Sequence, residues 1–451
     1  MNARYAVVRE GGRTIVIDES FDEAMKRRRL YRSTFSDIRA CYQHCKMKDP
    51  DGKETSVGSW WLNHPQRRQY DQVVFSPDVT AVPKSSYNLW RGFAIEPQPG
   101  DWPLFLDHIL ENICCGDGDL FIYLLAWMAQ GIQHPEVKPE VAIVLRSEER
   151  GTGKSFFARY YRKLFGQHGI ELSNSQHLTG RFNEHLEDCC VLVINEALWA
   201  GSQTGEAVLK TLITEDTLAI EPKGFSVRFA RNYLRVIMTS NAEWVVPAGF
   251  DERRFLMLDV GTAHKQDIPY FKAIADQMDN GGLAAMLYDL QRWDFPGIEL
   301  RCAPKTAALT KQKLLSLEPR ERWLFDILHE GRLLPGDIGW CPEVDKPALA
   351  GNFAESLRRS GGRDVRSSQT ELGVFLGRMF GSKLLDSRPK VGGSRVRRWL
   401  FPELAECRAL FEARLGARYD WPADDGIPGT RQPPIIRLPL PRIQGRTVGP
   451  K

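Results

Sequence analysis

The chain has 451 residues, 42% of them apolar and 26% charged, and a formal net charge of +4. That is the profile of an ordinary soluble globular protein with roughly two to three domains. The longest apolar run, 120–129, is too short to span a bilayer, and the N-terminus MNARYAVVREGG lacks an apolar signal core.

In chain order, residues 1–58 read as an extension that begins with a hairpin. Tyr5-Ala6-Val7-Val8 and Thr14-Ile15-Val16-Ile17 flank Gly11-Gly12. The charged stretch 21–30 reads as helical. Cys41-x-x-His44-Cys45 is a local hint of a metal site, but no second ligand pair follows at zinc-finger spacing. The nine cysteines form no framework, and reduced cytosolic thiols are expected. Residues 59–135 form an aromatic-rich connector followed by a helical segment, in which Leu104, Phe105, Ile109, Leu110 and Ile113 recur at helical spacing. Across 136–300, apolar strands expected at 141–145, 189–194, 218–220 and 234–239 alternate with helices. This pattern predicts a parallel sheet covered by helices, an α/β class.

Residues 318–420 read as a separate small domain. Helices over 320–330, 346–359 and 368–380 precede two strand-like runs around Gly392-Gly393, the order of a winged helix-turn-helix. Residues 301–451 hold 27 Lys and Arg against 17 Asp and Glu, a charge of +10 that leaves −6 on residues 1–300. A basic C-terminal third points to a polyanionic partner. The expected wing carries Lys383, Arg388, Lys390, Arg395, Arg397 and Arg398 against Asp386 alone. Such a wing suits DNA phosphates, while Gln369 and Arg378 are the best base-reading candidates on the preceding helix. A winged fold used for protein contacts is the alternative. The Pro- and Arg-bearing tail, 423–451, is expected to be disordered.

The chemistry concentrates in Glu149-Arg150-Gly151-Thr152-Gly153-Lys154-Ser155-Phe156, between an apolar strand and a helical stretch. Glycines let backbone N–H groups approach phosphates, and the helix N-terminus faces the anion. Lys154 would then reach the β- and γ-phosphates and Ser155 would hold Mg²⁺. Glu148 occupies the place of the first glycine of the full pattern. A second apolar strand ends in Asn195-Glu196, 42 residues beyond Lys154. Glu196 suits a general base, and Asn195, where Asp is usual, can reach the metal through its amide oxygen. A third strand ends in Thr239-Ser240-Asn241, whose Asn can bond the attacking water or the γ-phosphate. Arg253-Arg254 can stabilise charge growing on that phosphate. Between the last two strands, a hairpin with Lys223 and Phe225 at its tip and Arg228 beyond suits a phosphate backbone and a base to stack on.

The order of these elements resembles the superfamily 3 DNA helicases, and within them the phage and plasmid primase-helicase group. The resemblance spans roughly residues 55–415, including Tyr87-Asn88-Leu89-Trp90-Arg91-Gly92-Phe93 upstream and Trp399-Leu400-Phe401-Pro402 downstream. It implies a P-loop, AAA+-like ATPase that uses ATP and Mg²⁺. It further implies a hexameric ring tracking single-stranded or forked DNA with 3′–5′ polarity in a bacterial host's cytoplasm. By the same resemblance Lys154 and Ser155 bind nucleotide and metal and Glu196 is the catalytic carboxylate. Asn241 is then the sensor, Arg253 or Arg254 the arginine finger, and Lys223 a DNA-gripping residue. About 55 residues precede the similar region, too few for a polymerase palm, so a primase-polymerase is expected on another chain. The alternative function is a DNA-binding ATPase that acts as a slow assembly switch without processive unwinding.

Overall fold

The computed structural model describes residues 1–23, 27–48, 52–174, 178, 180, 182–196, 203–222, 226–295, 297–360, 368–392 and 394–422. The chain divides into two compact units, one of residues 1–247 and 252–309, the other of residues 248–251 and 310–451.

The first unit is built on a five-stranded parallel sheet. Its order is Gly169–Leu172, Val191–Asn195, Arg235–Ser240, Ala142–Arg146 and Phe255–Asp259. The apolar runs form strands here because both faces are covered: every residue of Ala142–Arg146 and Arg235–Ser240 is buried. Two strands of this sheet were not anticipated. Gly169–Leu172 is only four residues long, and Phe255–Asp259 follows directly on the Arg pair. Conversely, Thr217–Ile220 is a strand but lies outside the sheet, paired antiparallel with Arg228–Arg231 as the expected hairpin. The tip of that hairpin, 223–225, lies outside the described residues.

The N-terminal hairpin is present as Tyr5–Glu10 paired with Arg13–Asp22. The stretch expected to be helical at 21–30 is instead strand on both sides of 24–26. Arg27–Ser33 pairs antiparallel with Arg13–Asp22 at the sheet edge. Long-range ion pairs outweigh its local helical tendency: Arg27 meets Asp188 at 2.8 Å, and Arg32 meets Glu10 at 2.7 Å, Glu184 at 2.7 Å and Glu187 at 3.1 Å. The connector packs by its rings, with Trp90 stacked on His168 at 4.7 Å and Phe93 edge-on to Phe165.

The helical segment at 102–133 breaks into Pro103–Asp107, a π-helical turn His108–Ile113, and Gly118–Gln133. Arg235 ties the last of these to the sheet. Its fully buried guanidinium donates to the His134 oxygen at 2.9 Å, the Pro135 oxygen at 3.1 Å and the Gln130 side chain at 2.9 Å. A cation at a helix C-terminus satisfies carbonyls that the helix leaves open. No helix among the described residues is long and apolar enough to cross a membrane.

The second unit contains helices Pro319–Glu330, Lys346–Arg359 and Ser368–Phe380, and a three-stranded antiparallel sheet in the order Glu343–Asp345, Arg398–Leu400, Leu385–Ser387. Trp323, Leu328, Phe353, Leu376, Trp399 and Phe411 form its core. Two elements go beyond the expected three helices and hairpin: the short strand Glu343–Asp345 and the helix Leu404–Leu415. The tail 423–451 lies outside the described residues.

Candidate nucleotide-binding site

All five core strands run the same way, so their C-terminal ends share one edge of the sheet. Three of the singled-out sequences meet there. The strand ending at Arg146 leads into the Gly-rich turn, and the helix Lys154–Leu164 starts at its far side. Gly151 and Gly153 adopt φ of +73° and +94°. At Gly153 the space is closed as well, since a Cβ there would fall 2.4 Å from His108 Cε1. No residue with a side chain fits that position.

Lys154 is 6% exposed. Its ammonium donates to the Glu149 backbone oxygen at 3.1 Å and the Thr152 hydroxyl at 3.3 Å, both uncharged. Burial pushes its pKa down. The loop is braced from three sides. Asn241 Nδ2 donates to the backbone oxygens of Ser147 and Glu149, each at 2.8 Å. Asn112 Nδ2 donates to the Thr152 oxygen at 2.7 Å. On the third side Gln266 N bonds the Gly151 oxygen at 2.9 Å, and Lys265 pairs with Glu149 at 2.7 Å. Glu148, in the place of the first glycine, is drawn to Arg146 at 3.4 Å, which also holds Asp259 at 2.6 Å.

The neighbouring strand tip carries Asn195 and Glu196. Asn195 Oδ1 accepts from the Thr239 hydroxyl at 2.8 Å, and its Nδ2 donates to Glu171 at 2.6 Å. Glu196 sits at φ +53°, a left-handed conformation uncommon outside glycine. Its N–H bonds the Thr239 oxygen at 2.8 Å and its side chain is exposed. Backbone strain of this kind gathers at functional sites.

Between these tips lies a cleft of about 900 Å³, lined by residues 150–156 together with Asn195, Glu196, Thr239 and Asn241. Its other wall comes from Arg159, Ser173, Gln266, Ile268, Phe271 and Lys272, none of which sequence reasoning picked out. The wall residues 266–272 carry no motif. A weak signal for the residues beneath the loop was available: His108 and Asn112 are polar, four apart, in an apolar helical stretch. His108 is fully buried, with Nδ1 at 3.1 Å from the Tyr270 hydroxyl, and burial pushes its pKa down to about 4.

The remaining singled-out residues lie elsewhere. Arg253 and Arg254 immediately precede the strand Phe255–Asp259, so they stand at the opposite edge of the sheet from the cleft. Arg254 is committed to the buried Glu252 through Nε at 2.8 Å, whereas Arg253 is exposed. Arg228 is engaged by Glu187 and, at 3.7 Å, by Glu10. Lys223 and Phe225 lie outside the described residues.

In the second unit Arg398 is bound to Asp345 at 2.6 Å and Lys383 to Glu406. Four of the expected wing residues, Arg388, Lys390, Arg395 and Arg397, are exposed along the hairpin, where Lys390–Val391 pairs with Ser394–Arg395. Among the described residues no group of three or more His, Cys, Asp and Glu could hold a metal ion. Cys45 Sγ lies 3.2 Å from His44 Nε2.

The architecture is a parallel α/β sheet with a Gly-rich turn and helix at its carboxyl edge, consistent with a P-loop-like core. A family of unknown function, DUF5906, matches residues 145–254, the segment that carries the turn and both polar strand tips. The DNA primase-polymerase of Nitratiruptor phage NrS-1 is 25% identical over 169 residues, 37% of this chain. The match covers 23% of that relative's length. Apo structures of the NrS-1 C-terminal region superpose on 86% of this chain and 96–97% of theirs, with TM-scores of 0.60 and 0.59 at 16% identity. That likeness is one of fold.

Proposed function

We propose that this chain is a phage-type DNA replication protein whose cleft binds and hydrolyses Mg²⁺–ATP to drive movement along DNA, as a ring-forming helicase. The observation that carries this reading is Lys154. Its ammonium is buried at the start of a helix and its partners among the described residues are neutral, so an anion is the natural counter-charge, and the phosphate chain of a nucleotide supplies it.

The donor set fits the metal too. The Ser155 hydroxyl, the Asn195 amide oxygen and the Glu196 carboxylate are hard oxygen donors of the kind Mg²⁺ takes alongside phosphates and water. Bound there, Mg²⁺ would neutralise charge on the phosphates. Glu196 would orient and deprotonate the attacking water. Asn241, already tied to the loop entry, would register the state of the γ-phosphate. Arg253, exposed at the far edge of the sheet, cannot serve its own cleft and suits a neighbouring subunit's, as a ring requires. The exposed Arg388, Lys390, Arg395 and Arg397 support docking of a winged-helix-like unit on DNA phosphates. The similarity to a phage primase-polymerase supports the replication context.

The test compares the purified protein with Lys154→Ala, measuring binding of a fluorescent ATP analogue, ATP hydrolysis with and without single-stranded DNA, and unwinding of a fork. DNA-stimulated hydrolysis that survives in Lys154→Ala overturns the reading. Tight ATP binding with rare turnover and no unwinding in the parent protein would select the slow-switch function instead.

A further inference from the structure

Asn195 departs from the Asp usual at this place, and a carboxylate lies beside it. The edge strand Gly169–Leu172 pairs in parallel register with Val191–Asn195, and Glu171 on it reaches Asn195 Nδ2 at 2.6 Å. The other carboxylate oxygen of Glu171 is held by Arg162 at 3.1 Å. Arg162 belongs to the helix that starts at Lys154. Room for it comes from Gly169, where a Cβ would fall 2.6 Å from Arg162 Cγ. A continuous chain therefore runs from that helix through Arg162, Glu171 and Asn195 to the Thr239 hydroxyl at 2.8 Å.

The chemistry of this chain is directional. An ionised carboxylate only accepts hydrogen bonds, so Glu171 can face only the NH₂ of Asn195. The amide oxygen is thereby turned to Thr239 and the cleft. An Asp at 195 would set two carboxylates against each other at hydrogen-bond distance, where like charges cannot both ionise freely. Asn195 and Glu171 are thus matched partners.

We propose that Glu171 is a positioning residue for the metal: anchored by Arg162, it orients Asn195 with the amide oxygen toward the cleft. This rests on the cleft being a Mg²⁺–nucleotide site. Partners one shell out from a metal typically change its affinity by about 10–100-fold.

The experiment uses the full chain and three variants: Glu171→Gln, Asn195→Asp and the double substitution. Binding of a fluorescent ATP analogue is titrated against Mg²⁺ and repeated in EDTA, and Mn²⁺ binding is followed by electron paramagnetic resonance. Glu171→Gln is expected to raise the Mg²⁺ midpoint about tenfold while leaving binding in EDTA unchanged. Asn195→Asp alone gives no tighter metal binding, and the double variant, with one carboxylate again, returns to within about threefold of the parent. An unchanged midpoint in Glu171→Gln, or a double variant no better than Glu171→Gln, overturns the proposal. Failure of the parent chain to bind the analogue under any condition overturns the cleft reading and this inference with it.

Discussion

Asn241 and Lys154 share an acceptor: both donate to the backbone oxygen of Glu149, at 2.8 Å and 3.1 Å. The tip of one strand and the start of the helix therefore pin the same point of the loop. If Lys154 turns to a phosphate, Asn241 still holds the loop entry. Asn241→Asp would replace two donated bonds by an acceptor facing two carbonyl oxygens. The expected cost is about 1–3 kcal/mol of stability, with nucleotide affinity falling at least in proportion. Thermal melts with and without an ATP analogue measure both.

Lys154 itself should trade stability for binding. Its pKa is pushed down by burial, with no carboxylate among the described residues to offset it. A lysine whose folded pKa is lowered costs stability at every pH below that value, and the cost fades as pH rises toward the unfolded 10.5. Lys154→Met removes the cost. The nucleotide-free variant is expected to melt higher than the parent near neutral pH, and to lose the upward shift that an ATP analogue gives the parent.

His108 and His168 set an acid limit. Burial lowers both from 6.5 to about 4. Between those values the unfolded chain takes up protons that the folded chain refuses, so stability falls as pH drops from 6.5 toward 4. Each histidine contributes about 3 kcal/mol over that window. His108→Asn keeps a partner for the Tyr270 hydroxyl but cannot titrate. Its urea midpoint is expected to fall less steeply with acid than the parent's, by close to one proton in the slope.

The same residues explain what was legible in the sequence. Glu148–Ser155, Asn195-Glu196 and Asn241 were readable because each ends an apolar run, and a parallel sheet brings strand ends to one edge. The wall at 266–272 was not readable, because it reaches the loop by tertiary packing: Gln266 bonds Gly151, and Phe271 closes over Gly153. The helix expected at 21–30 fails for a similar reason. Arg27 within it is matched to Asp188, and Arg32 just beyond it to Glu184 and Glu187, more than 150 residues away in sequence, and local periodicity carries no trace of them. The partners of Arg228, Glu187 and Glu10, are likewise distant in sequence.

Gly131 offers a test of the packing behind the site. A Cβ there would lie 2.7 Å from Arg235 Nε and closer still to the Tyr161 hydroxyl, both fully buried. Arg235 is already fixed by the helix carbonyls and cannot yield. Gly131→Ala, normally favourable inside a helix, is expected to destabilise by about 1–3 kcal/mol, read by urea titration.

Arg253 and Arg254 are adjacent, and the fold gives them different fates. Arg254 neutralises Glu252, whose side chain is 2% exposed. Arg254→Ala leaves that carboxylate buried and unpaired, and is expected to cost about 3 kcal/mol of stability. Arg253 is exposed at the sheet edge away from the cleft, so Arg253→Ala should melt like the parent and bind the ATP analogue with unchanged affinity. Only hydrolysis should suffer, by about 10³-fold or more if Arg253 is a finger acting on a neighbour. A finger acting between subunits makes a further demand. Lys154→Ala and Arg253→Ala, each inactive alone, should recover part of the activity when mixed, because some interfaces then pair an intact cleft with an intact Arg253. No recovery on mixing, with assembly verified by sedimentation, would rule out the trans role.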